Sequence, residues 1–399
     1  AQFLIAAVGV LSAKYVPAFP GVENFRGESF HTSNWPKEKV DFGGKRVACI
    51  GTGATAIQLI PIVAEQAGHL TVFQRTANYT APCRNSEVDP EVQAGWKATY
   101  PNIHEKCRQT PLGFAHDFDP RSCLEVSEEE RLDVFEKLWR QPGFAKWLGN
   151  FHDIFTSAEA NEMFSEFVRN KIRERVHDPE VAELLVPTDH LFGAKRPPLE
   201  THYYEAFNRD NVKLVDSRNV PIQSITATGI KTEDAAYEFD VIIYATGFDA
   251  VSGPLTRIDI RGENGHSFKD KWAEGPRSYL GIQTAGFPNF FLGASSAFIN
   301  YTVVAEMMVE WITDCIGHLR EKNLTSIVPS LKAEQDWVDH KNEIGAQTLF
   351  FRTETNNWFN GGNIPGKARV IQMYANTLPE YRKKFNEAAS NGYKEFVIR

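Results

Sequence analysis

The sequence predicts an α/β protein: a Rossmann-like dinucleotide-binding domain interrupted by a helical insertion. Three observations predict it. A short apolar run, KRVACI at 45–50, enters a glycine turn, GTGATA from Gly51 to Ala56, and leaves it in a segment of helical period, AIQLIPIVAEQA. A second apolar run at 70–74, LTVFQ, completes a β–turn–α–β unit, which is half of a dinucleotide-binding fold. From Ser86 to about His190 charged and aromatic residues recur at helical spacing, and strand patterns return from Asn211 in NVKLVD, SITATGIKT and YEFDVIIYATG.

Composition narrows the function classes. The chain has 399 residues, room for two or three domains, with 42% hydrophobic and 24% charged residues, as in a soluble globular protein. Its 43 Lys+Arg against 51 Asp+Glu give −8, and no basic block is present, which argues against nucleic acid as the main partner. The longest apolar stretch, Phe3 to Val10, falls far short of the ~20 residues of a membrane span. Five cysteines without zinc spacing or a CxxC motif predict free thiols, no metal site and a cytoplasmic location. The chain opens on FLIAAVG without a charged n-region, so no signal peptide is expected. That run reads as a buried strand entering a turn at Gly9, which predicts that the sequence is the larger part of a longer protein.

Each element then has a chemical reading. In GTGATA, Gly51 permits the tight turn and Gly53 lets backbone approach a pyrophosphate, while Ala56 stands where helix and strand pack closely. Thr52, Ala54, Thr55 and Gln58 complete the turn and the first helical turn, whose unpaired N–H groups suit phosphates. After the second strand an NAD site would carry Asp or Glu for the ribose 2′-hydroxyl; this chain has Gln74-Arg75-Thr76. Arg75 suits a 2′-phosphate, so NADP is expected; a plain surface arginine at a strand end is the alternative. In the insertion, Ser127 and Glu130 have capping-box spacing, and the surrounding charge run reads as a solvated face. A helix is expected from about Val303 to Arg320, and an Asn- and Gly-rich loop at 356–366.

The stretch Phe25-Arg26-Gly27-Glu28-Ser29-Phe30-His31-Thr32-Ser33-Asn34-Trp35-Pro36 reads by composition as a loop with an aromatic anchor. It resembles, at every fixed position of FxGxxxHTxxWP, the fingerprint of type I Baeyer–Villiger monooxygenases: Phe25, Gly27, His31, Thr32 and Trp35 with Pro36. The related N- and S-oxygenating flavin-containing monooxygenases usually carry HS and Tyr there. The resemblance extends over the chain through Lys195-Arg196, YYEAFNRDNVKLVD, DVIIYATGFDA, GPRSYLGIQTAGFPN and WFNGGNIPGK, which look like phenylacetone- and cyclohexanone-type members.

The resemblance implies two Rossmann-like domains, the FAD domain being incomplete because the family's first glycine fingerprint is not in this sequence. The NADP domain would occupy 14–76 and 194–248, the helical insertion 77–193, and the FAD domain 1–13 and 249–399. It implies that NADPH reduces the flavin and that a C4a-peroxyflavin then converts a ketone to an ester or lactone with O2. Arg196 matches the catalytic arginine, and Lys195 the lysine that joins Arg75 at the 2′-phosphate, with Thr76 beside them. Trp358 matches a tryptophan that holds the nicotinamide-side ribose. Gly9, Thr246, Gly247, Asn300 and Tyr301 fall on the FAD side, and His31 is expected to shape the interdomain linker. LGASSAFINYTVVAE, from Leu292 to Glu306, departs from the family's Gly-Pro-rich loop, so the ketone and its regiochemistry stay open. The oligomeric state stays open too. Two other readings compete: an N- or S-oxygenating monooxygenase, and an inactive NADP-binding fragment that holds FAD poorly.

Overall fold

A computed structural model describes residues 1–293, 300–352 and 355–399, without the side chain of Arg352. They form two compact units. One comprises 14–85 and 120–248; the other comprises 1–13, 86–119 and 249–399. The segment 77–193, read above as one insertion, is divided between them.

The first unit is built on a parallel sheet of five strands: β1 (Glu28–His31), β2 (Arg46–Ile50), β3 (His69–Gln74), β4 (Val212–Asp216) and β5 (Val241–Tyr244), in the order β1-β5-β2-β3-β4. β2, β3 and β5 are near-continuous apolar runs, as strands covered on both faces must be. Helix α1 (Ala54–Gln66) joins β2 to β3 and buries Ala56, Ile60, Val63 and Ala64 on one stripe. Pro61 lies inside this helix, where the ring removes one donor from the ladder. The helix's last carbonyls find a partner outside it: Asn211, just before β4, donates from Nδ2 to Ala64 O and Ala67 O, both at 2.9 Å. An antiparallel meander, Ile222–Ile225, Gly229–Thr232 and Ala236–Glu238, leads into β5.

The helices of 120–193 pack around an aromatic cluster in which Phe135 and Phe192 meet Phe164 edge-on at 4.9 and 4.8 Å. The helix Glu128–Arg140 starts with the expected capping box, both reciprocal bonds being made between Ser127 and Glu130.

In the second unit the short strand Leu4–Ala6 pairs in parallel with Phe290–Leu292. It was expected to be buried, yet Leu4 is 58% and Ile5 47% exposed, because among the described residues only one strand pairs with it. Helices α2 (Pro90–Gln109) and α3 (Tyr301–Glu321) belong to this unit, with a core around Trp311, Met308 and Tyr381. Asn300 starts α3 by accepting from Thr302 N at 3.2 Å, and its Nδ2 donates to Gly113 O at 2.9 Å.

Candidate functional site

The glycine turn sits at the carboxyl end of β2. Gly51 has φ +107, and a Cβ there would lie 2.6 Å from Ala245 O, so only glycine fits without displacing β5. Gly53 differs. It is the N-cap of α1, and nothing stands within 4 Å of where its Cβ would be. Gly53 brings no capping side chain, so the N–H groups of Ala54, Thr55 and Ala56 in the first turn of α1 have no acceptor within the helix. Thr52 is buried and donates to Thr76 O at 3.2 Å, tying the turn to the end of β3, whereas Gln58 is exposed.

Beyond β3 and β4 the cations converge. Arg75 is exposed, and its carbonyl accepts from Arg218 Nε at 3.1 Å; Arg218 Nη2 donates to Thr76 Oγ1 at 3.1 Å and to Asp189 Oδ2 at 2.9 Å. Lys195 Nζ lies 3.7 Å from the same Asp189 oxygen. Burial first lowers the Lys195 pKa; Asp189 opposes this, and the charges of Arg218 and Arg75 add to it. Three cations thus share one neighbourhood with one carboxylate. For Asp189 burial pushes the pKa up, but the hydrogen bond from His190 (2.6 Å), the Lys195 charge and the Arg218 bond outweigh it and hold it well below the usual carboxylate value. Arg218 and Asp189 were missed in the sequence. The available signal was that Arg218 follows β4, the neighbour of β3, so the two strand ends bring it beside Arg75.

Arg196 is solvent-accessible, and among the described residues no carboxylate lies within ion-pair distance of it. Only its backbone is fixed, the carbonyl accepting from Asn78 Nδ2 at 3.2 Å. Partial desolvation lowers its pKa, yet a guanidinium stays charged through such a shift.

The fingerprint residues are packing and linker residues here. A Cβ on Gly27 would meet Asp240 O at 2.5 Å, Phe25 packs on the sheet core, and Trp35 touches Phe30 and Phe42. Thr32 opens a short 3-10 turn after His31. The His31 ring is buried against Phe248, with Ser33 N donating to its Nδ1 at 3.1 Å. Burial lowers its pKa, with the backbone of Tyr15 and Gly247 opposing. Around it Tyr15 N donates to Gly247 O at 3.0 Å and Thr246 Oγ1 to Tyr15 O at 2.5 Å, binding the two connecting segments to each other.

In the other unit Trp358 is half-buried and tilts onto Phe359 at 4.4 Å, while among the described residues nothing accepts from its indole N–H. Its loop is held by Asn357 and Asn360, each side-chain oxygen accepting from the other's backbone N–H, at 3.3 and 3.0 Å. Gly9 has φ +74 and open space at its Cβ position. Tyr301 is exposed at the start of α3, and Glu306 pairs with Arg108 and His104 of α2 at 3.4 and 3.1 Å. Positions 294–299 of the atypical loop lie outside the described residues.

Residues 4–84 match the model of the flavin-binding monooxygenase-like family. Over the whole chain 46% of residues are identical to 2-oxo-Delta(3)-4,5,5-trimethylcyclopentenylacetyl-CoA monooxygenase of Pseudomonas putida, of which 75% is covered. A Baeyer–Villiger monooxygenase of Pseudooceanicola batsensis is 41% identical over the whole chain and 73% of its own length. The chain belongs to the Baeyer–Villiger monooxygenases. A phenazine N-monooxygenase of Lysobacter antibioticus is 39% identical with the same coverage. A crystal structure of OTEMO in complex with FAD and NADP superposes with TM-score 0.96 at 46% identity, covering this whole chain and 76% of the other. FAD and NADP are the cofactors of the family.

Within the first unit the residues present fit NADP: a helix start without a capping side chain behind an open Gly53, and a cluster of cations at the strand ends. For FAD the fitting feature is the open, positive-φ Gly9 after the strand Leu4–Ala6.

Proposed function

We propose that this chain acts in the NADPH- and O2-dependent conversion of a ketone to an ester or lactone, with NADP+ and water as the other products. FAD, when bound, would supply the redox chemistry, the acceptance of reducing equivalents from NADPH and the transfer of one oxygen atom of O2 to the ketone. The chain's own residues bind and orient. The N–H groups of Ala54 to Ala56 and the backbone at Gly53 take the pyrophosphate. Arg75, Lys195 and Thr76 take the 2′-phosphate, with charge-assisted hydrogen bonds contributing about 1.5–3 kcal/mol each. Trp358 donates its indole N–H to the nicotinamide-side ribose. Arg196 supplies a permanent positive charge for the anion that develops during oxygen transfer, which a lysine of lowered pKa would not guarantee.

The observation that carries this reading is Arg196: a guanidinium without an ion-pair partner among the described residues, one position after the lysine of the cation cluster. In the flavin-loaded enzyme, Arg196→Ala should remove at least 99% of ester formation from a cyclic ketone while NADPH oxidation continues. Gas chromatography of products beside the absorbance of NADPH reads both, and an unchanged ester yield would end the assignment. The phenazine N-monooxygenase relative favours a second reading, oxygenation of an aromatic nitrogen. N-oxide formation without any ester across a panel of ketones and N-heterocycles would replace the first reading by the second. Among the described residues no helix is long and apolar enough to cross a membrane. The five free cysteines suit a reducing cytosol, which also supplies NADPH.

A further inference from the structure

The loop that carries Trp358 ends on a lysine to which the chemistry above gives no role. The loop first closes on itself. Phe359 O accepts from Gln372 N and Asn360 O from Val370 N, both at 3.1 Å, so the backbone just after Trp358 runs beside 370–372. Gly361 has φ +78, and a Cβ there would stand 2.7 Å from Ala368 O, a close approach that glycine permits. Ile364 N donates to Gly361 O at 3.3 Å and Lys367 N to Ile364 O at 3.2 Å, a succession of turns that leads to Lys367.

Lys367 is where this loop meets the segment after β5. Its ammonium lies 2.6 Å from Asp249 Oδ1 and donates to Ala250 O at 2.7 Å. The lysine and aspartate side chains are only 14% and 20% exposed, so solvent screens their attraction weakly. Asp249 is itself held in place: a Cβ on Gly253 would stand 2.4 Å from its Cγ, and Asp249 N donates to Ala13 O at 2.9 Å. Beside Ala250, Val251 is buried at φ +65, a left-handed conformation that a β-branched residue rarely adopts, with its N–H bound to Val10 O at 3.0 Å. A strained turn persists only where its surroundings over-determine it, and Lys367 binds the two residues that precede the strained one.

We infer that Lys367 is a positioning residue for the nucleotide: by holding the loop 356–367 on the turn Asp249–Val251, it keeps the Trp358 indole N–H where the nicotinamide-side ribose needs it. This rests on the role proposed above for Trp358. The ring's direction follows from its contact with Phe359 and from the backbone that Asn357 and Asn360 fix, and Lys367 anchors that backbone to the rest of the unit.

The test is a double-mutant cycle on the flavin-loaded full chain, read by isothermal titration as the Kd of NADP+. Trp358→Phe keeps an aromatic ring and removes the donor. Lys367→Met removes the ammonium and leaves Asp249 with Arg257, 3.9 Å away. We expect both to weaken NADP+ binding about two- to tenfold, and Lys367→Arg to restore most of the affinity. The double variant should bind no more weakly than Trp358→Phe, because residues acting through one contact do not add. Losses that multiply in the double variant would place the effect of Lys367 elsewhere, as general damage to the fold would, and the inference falls. It falls as well if Trp358→Phe weakens binding and Lys367→Met does not. An unchanged Kd in Trp358→Phe would overturn the role of Trp358 and this inference with it. Should Lys367→Met fail to fold, Asp249→Asn, which keeps the shape and removes the charge, takes its place in the cycle with the same expected outcome.

Discussion

Arg75 was legible in the sequence because it directly follows the second strand, at a position where chemistry distinguishes NAD from NADP. Arg218 was not, although it holds the Arg75 carbonyl, Thr76 and Asp189. Its partners lie as many as 143 positions away, and only the pairing of β3 with β4 unites them. Arg218→Leu removes a charge and the brace under Arg75; with charged hydrogen bonds contributing about 1.5–3 kcal/mol, KM for NADPH should rise roughly tenfold or more while KM for NADH stays put. Equal rises for both would assign Arg218 to folding alone. Asp189 offers a pH test. Its folded pKa lies below the ordinary value of 3.8, so its stabilisation is present above about pH 4 and is lost as the pH falls further. The stability gap between wild type and Asp189→Asn should therefore narrow on acidification from pH 6 to pH 3, as followed by urea denaturation.

Among elements, those set by local pattern were read closely. The Ser127–Glu130 capping box is made, β2 and β3 lie within a residue of the expected runs, and α3 begins two residues before Val303 because Asn300 provides a cap. The strand Leu4–Ala6 shows the limit of pattern: an apolar run specifies a strand but not how many neighbours cover it. The glycine turn gives a paired prediction. Gly51→Ala places a methyl 2.6 Å from Ala245 O at φ +107 and should lower the thermal midpoint by several degrees. Gly53→Ala meets open space, so its midpoint should change by less than about 1 °C while KM for NADPH rises. Calorimetry and steady-state kinetics on both variants separate the two glycines; a destabilised Gly53→Ala would show that its role is structural.

For the whole molecule, the α/β class and the nucleotide-binding sheet followed from periodicity. The grouping of 86–119 with 1–13 and 249–399 could not, since helical spacing says that a helix forms and not which core receives its apolar stripe. The apolar contacts that decide it, such as Cys107 against the Trp311 cluster, lie far apart in sequence. Hydrogen exchange offers a global readout of the binding assignment. NADP+ should slow exchange at the start of α1 and after β3 and β4, while the meander Ile222–Glu238 keeps its rates. Protection confined to the meander would displace the nucleotide site.

Asp189 gives the cation cluster a resident counter-ion before any nucleotide arrives. On the proposed placing of the 2′-phosphate at this cluster, loading is an exchange of partners: the incoming phosphate takes over lysine and arginine contacts that an internal carboxylate held, and on departure the carboxylate reclaims them. Such a pocket never stands bare of negative charge, so its cations do not repel one another out of position between turnovers, and cofactor affinity depends less steeply on salt than the number of basic side chains would suggest.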